Sequence, residues 1–169
     1  FGEYIGEKCF EIEEVCVATS TMSYEEYLGC REFAFVSSLF SCLQFDVILK
    51  LVEEMEIDIH EYFLYFWELI KTCNSRLEDY CNNFVKETEE ELWDSPEEIY
   101  VHFEKKDNYN MLLKREVGDN LIKKYTTKVI LESFIPFVEL AFVAIRKHTD
   151  QRNTTIIGIL NAIMRWMIS

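Results

Sequence analysis

Apolar residues recur at intervals of three and four along most of this chain, the spacing that lines one face of a helix. Ser23 followed by Glu26 has the form of a capping box and predicts a helix over 24–40. Tyr24, Tyr27, Leu28, Arg31, Phe35 and Leu39 fall on or near one face of it. Val47, Leu51 and Met55 predict a short helix over 46–54, and Asp58 with Glu61 opens a third that runs to about residue 72. That third helix carries Tyr62, Phe63, Phe66, Trp67 and Ile70, the most aromatic stretch, and is expected at the centre of the core. Leu77, Tyr80, Cys81, Phe84 and Val85 predict an amphipathic helix over 75–87, followed by an acidic turn over 88–93.

Ser95-Pro96-Glu97-Glu98 is the strongest local signal. Serine caps, proline is preorganised at the first helical position, and the glutamates suit the positive end of the dipole. The helix it starts should reach about Lys106. Another follows over 108–117, with Gly118 as a left-handed C-cap. The longest pattern, 120–147, contains Pro136, which should kink or split it. Asp150 or Asn153 begins a last helix through Met167. Residues 11–18 are the one strand candidate, because Val15-Cys16-Val17-Ala18 is apolar on both faces. The expected fold is all-α: a multi-helix orthogonal bundle over 23–169, with one short strand-like element in an extended N-terminal segment, 1–22.

Composition supports this picture. Of 169 residues 49% are apolar, with 13 Phe, 9 Tyr and 3 Trp, too many for a disordered chain. Five Gly and two Pro are few for a sheet-rich domain. The net charge of −14 leaves no basic stripe, which argues against nucleic acid and against anionic membrane surfaces. Its bland reading is a solvated surface; its alternative is a docking face for a basic partner. The most apolar stretches, 134–145 and 156–168, are shorter than the roughly 20 residues of a membrane span. The polar, acidic start does not have the form of a signal peptide. A first residue of Phe1 rather than Met predicts a processed or excised chain.

Candidate chemistry is sparse. Cys9, Cys16, Cys30, Cys42, Cys73 and Cys81 include no Cys-x-x-Cys and no Cys/His grouping at zinc spacing. Cys30, Cys42, Cys73 and Cys81 lie in helical apolar patterns, where a reduced thiol serves as a small core residue, as expected in the cytoplasm. His60, His102 and His148 each stand alone, and His148 suits a helix end. Glu89-Glu90-Glu91 reads as a solvated turn, since contiguous helical residues do not share a face. Arg31, among apolar neighbours, is the single candidate contact to an anionic substrate group; its plainer reading is a snorkelling or paired arginine. No catalytic, cofactor-binding or metal-ligating residue is assigned.

Several segments, in order, carry a family likeness. They are Val17-Ala18-Thr19-Ser20-Thr21-Met22-Ser23-Tyr24-Glu25-Glu26-Tyr27, Arg31-Glu32-Phe33-Ala34, and Glu87-Thr88 with Glu91-Leu92-Trp93-Asp94-Ser95-Pro96-Glu97-Glu98. Tyr109, Leu112-Leu113, Glu116-Val117-Gly118-Asp119-Asn120-Leu121 and Tyr125 complete the set. Together they resemble the carboxy-terminal region of cobalamin-binding radical S-adenosylmethionine proteins, over about residues 11–138. The resemblance implies a parent enzyme that uses cobalamin, a [4Fe-4S] cluster and S-adenosylmethionine, often a methyltransferase or a ring-rearranging enzyme. This chain would be its helical cap or substrate-side domain, with 11–18 as the last strand of the parent barrel. The family's Cys-x-x-x-Cys-x-x-Cys run and its cobalamin domain have no counterpart here, so none of those ligands is carried over. The implied partner is the parent catalytic domain, or a second copy joined through the N-terminal segment. The competing readings are a free-standing acidic helical adaptor and a helical ligand carrier.

Overall fold

The computed structural model describes residues 1–149 and 153–169. A two-stranded antiparallel hairpin, β1 (Gly2–Tyr4) and β2 (Glu7–Cys9), precedes the helices. They are α1 (Tyr24–Leu39), α2 (Asp46–Glu54), α3 (Ile59–Thr72), α4 (Arg76–Glu90), α5 (Pro96–Phe103), α6 (Lys106–Leu113), α7 (Leu121–Glu132), α8 (Phe134–Lys147) and α9 (Thr154–Met167), with a 3-10 turn, Leu43–Phe45, before α2. The fold is all-α and multi-helical, as the periodicity predicts.

Capping chemistry sets many of the boundaries. Ser23 and Glu26 close a reciprocal capping box, with Ser23 N–H donating to Glu26 Oε2 at 2.7 Å and Glu26 N–H donating to Ser23 Oγ at 3.1 Å. Asp58 Oδ1 accepts from His60 and Glu61 N–H, each at 2.9 Å, and Ser95 Oγ accepts from Glu98 N–H at 3.3 Å. Asn153 Oδ1 accepts from Ile156 N–H at 3.1 Å and so begins α9. Asp150, the other candidate start, lies outside the described residues.

Pro136 divides the long pattern three residues upstream of itself. In an unbroken helix its missing N–H would face the Glu132 carbonyl and its ring would strike that carbonyl. The chain turns at Ser133 (φ −141°, ψ 24°), and Pro136 then falls in the first turn of α8, where no intrahelical donor is needed.

Helix α1 packs between two groups of aromatics. On one side Phe35 stacks on Phe84 of α4 with ring centroids 4.7 Å apart, and Tyr125 of α7 meets both rings near 6.0 Å. On the other, Phe40 lies 4.9 Å from Phe66 and 5.1 Å from Phe137, and Phe45 lies 4.2 Å from Phe137. Buried rings of this size contribute both area and edge-to-face attraction, about 0.5–1.5 kcal/mol per pair beyond burial. No single helix among the described residues is long and apolar enough to cross a membrane.

Three expectations are corrected. Residues 11–18 form no strand; the only described strands are the hairpin at 2–4 and 7–9, closed by Ile5 and Gly6 at φ 53° and 81°. A strand needs a neighbouring edge, and the described helices offer 11–18 none. Helix α2 forms over the expected residues; Ile48 and Val52 are buried in it, beside Phe45 of the preceding 3-10 turn, while Val47, Leu51 and Met55 are half-buried. Cys30 is exposed rather than a core residue. The left-handed residue that closes α6 is Arg115 (φ 58°), not Gly118: Arg115 N–H donates to Leu112 O and Glu116 N–H to Met111 O, a Schellman end. Gly118 (φ 69°) belongs to the loop beyond, where a Cβ would stand 2.9 Å from Leu112 Cδ2.

Candidate functional site

The N-terminal segment lies against α5 and α6. The Phe10 ring meets Tyr100 at 5.3 Å, Phe103 at 5.9 Å and Tyr109 at 6.1 Å, and Lys8 Nζ donates to Glu104 O at 2.6 Å. This leaves a cleft of about 890 Å³ bounded by the N-terminal segment, the end of α4, α5 and the loop from α6 to α7.

One wall is aromatic. Ser95 and Pro96 start α5 close behind the end of α4, and the turn between them sets Trp93 4.8 Å from His102 and 6.1 Å from Phe103. The rest is rich in carboxylates: Glu11 and Glu13 from the N-terminal segment, Glu87, Glu90 and Glu91 from α4, Glu116 and Asp119 from the loop. Arg115 and Lys124 are the lysine or arginine side chains that line it. Helix α4 ends with Glu87, Glu89, Glu90 and the C-cap Glu91, and no basic residue lies in its last turn. Negative side chains at a carbonyl-rich helix end repel the dipole, and Lys86, 3.6 Å from Glu90, and Lys124, 2.6 Å from Glu87, offset only part of that charge.

Glu87 is the anchored member. Its Oε2 accepts from Lys124 Nζ at 2.6 Å and its Oε1 from Tyr125 Oη at 2.7 Å. Burial acts to raise the Glu87 carboxyl, but these two donors and nearby lysines outweigh it and hold it below the usual carboxylate range. Glu91 behaves oppositely: loss of hydration first, then the Glu87 charge, pushes its carboxyl up.

A smaller cavity of about 330 Å³ is bordered by Glu32, Lys71 and Cys81. Glu32 is 8% exposed and sits 3.9 Å from Lys71 Nζ. Burial, then the Glu32 charge, raises the Cys81 thiol, which is therefore held as a neutral core group.

Arg31 is half-buried on α1, with its guanidinium 5.8 Å from the Phe84 ring centroid. Its Nε is buried without a hydrogen-bond partner among the described residues, and it does not line the larger cleft. His60 is exposed with its ring edge-on to Phe33, and His148 is the exposed C-cap of α8. His102 was legible only as a lone histidine; the fold makes it a wall of the cleft. Among the described residues no three His, Cys, Asp or Glu side chains are grouped to hold a metal ion. No known protein family, curated protein or solved structure matches the chain.

Proposed function

We propose that this chain is the helical, substrate-side extension of a larger cytoplasmic enzyme of the cobalamin-dependent radical S-adenosylmethionine type, docked onto its catalytic domain through residues 11–18. Cobalamin, the cluster and S-adenosylmethionine would belong to the parent's residues. The observation that supports this reading most is the state of that segment. Among the described residues, 10–18 make no backbone–backbone hydrogen bond, and Val15 is 51% exposed. An apolar stretch with every amide free is suited to completing a sheet that another domain supplies. The buried, unpaired Nε of Arg31 suits a contact to an anionic group in the assembled protein.

Hydrogen exchange tests this. Amides 11–18 should exchange without protection in this chain and slowly in the full-length gene product, which should also carry a Cys-x-x-x-Cys-x-x-Cys run and bind a reconstituted cluster. A full-length product without that run, or with 11–18 equally unprotected, would sink the proposal. Concentration-dependent protection in this chain alone would instead indicate pairing between two copies.

A further inference from the structure

We infer that the cleft between the N-terminal segment and the end of α4 receives an arginine-bearing segment of a protein partner. The inference concerns this chain with Glu11 and Glu13 lying on the cleft, and it is independent of the enzyme reading above, in which that segment would leave the cleft. Three separate stretches of chain bring carboxylates to one cleft; Lys124, Lys86 and Lys114 pair with Glu87, Glu90 and Glu116, which leaves Glu11, Glu13, Glu91 and Asp119 against Arg115. Glu13, from the N-terminal segment, and Glu91, the C-cap of α4, both line the cleft and have no ion pair among the described residues. Converging like charges oppose folding, and the end of α4 adds its dipole to them. A cationic occupant removes both penalties.

The walls select among cations. Trp93, His102, Phe103 and Phe10 present ring surface beside the carboxylates. A guanidinium is planar, stacks on rings and pairs with a carboxylate through two parallel N–H donors; an ammonium does neither as well. The volume, about 890 Å³, suits a few side chains of an extended peptide rather than a single metal ion. Desolvation and the Glu87 charge push the Glu91 carboxyl up, and a cation bound in the cleft would oppose that shift.

Fluorescence anisotropy with labelled pentaarginine and pentalysine, at roughly physiological ionic strength, tests this. Pentaarginine should bind several-fold more tightly than pentalysine. The Glu13→Gln/Glu91→Gln pair should weaken pentaarginine about tenfold. Glu53→Gln/Glu54→Gln, which removes the same charge from the exposed end of α2, should change it less than about twofold. Trp93→Ala, checked for retained helicity by circular dichroism, should erase the preference for arginine. Equal affinity for the two peptides, or equal loss in the two glutamine pairs, would mean general attraction to an acidic protein and would overturn the inference.

Discussion

Tyr125 reaches across from α7 to donate its hydroxyl to Glu87 of α4 at 2.7 Å, joining two helices through one carboxylate that also receives Lys124. Removing the donor by Tyr125→Phe should destabilise the fold by about 1.5 kcal/mol, the low end for a bond to a charged group, because Glu87 keeps Lys124 and some hydration. Because the folded carboxyl lies below its ordinary value, its stabilisation is complete above that value and is lost as pH falls through the folded one. The deficit of Glu87→Gln relative to the parent should therefore be large near about pH 7 and shrink by about pH 3. Urea midpoints of the three proteins at both pH values check this.

Two glycines should respond in opposite directions to alanine. Gly118→Ala forces a side chain into a left-handed position and against Leu112, and should cost more than about 1 kcal/mol. Gly158→Ala lies inside α9 with open space around it, and should stabilise by about 0.5–1 kcal/mol. Thermal midpoints of the pair that move the same way would contradict one of the two assignments.

Ser95→Ala removes the cap of α5 and should cost about 0.5–2 kcal/mol. Ser37→Ala should cost less, since the Ser37 hydroxyl only back-bonds to the Phe33 and Ala34 carbonyls within its own helix, at 2.9 and 3.2 Å. Denaturant midpoints decide the order.

Thiol labelling should separate the cysteines. Cys9, Cys16 and Cys30 are exposed and should alkylate rapidly in the native protein. Cys81, buried with its thiol pushed up, should react only on unfolding. Mass mapping of iodoacetamide adducts over time gives the order, and early modification of Cys81 would contradict its placement in the core.

The helices were legible because their starts are written locally, in Ser23, Asp58, Ser95 and Asn153, and each of these side chains caps the helix it was expected to cap. What misled was context beyond one helix. The end of α6 tolerates Arg115 in a left-handed conformation although Gly118 stands three residues on. The hairpin carries a small-loop signal in Gly6 that the apolar run at 15–18 overshadows. The cleft was the least legible element. No spacing rule joins Glu13 to Glu91 or Phe10 to Phe103, and those pairings exist only once the N-terminal segment lies on α5 and α6. Arg31 was legible as an arginine among apolar residues, but not as one with a buried, unpaired Nε.

The turn at Ser133 fixes more than an angle. Helix α7 sets Tyr125 against the Phe35–Phe84 pair, and α8 sets Phe137 against Phe40 and Phe45, so the two aromatic groups are set by helices with one residue between them. A single insertion there would rotate α8 by about 100° relative to α7 and advance it by about 1.5 Å. Phe137 would leave its pocket, and exposed Val143 would turn into the buried place now held by Ala144. At this joint the protein can accept changes of side chain more readily than changes of length. Divergent descendants of this chain would therefore gain and lose residues in their loops while keeping one residue between Glu132 and Phe134.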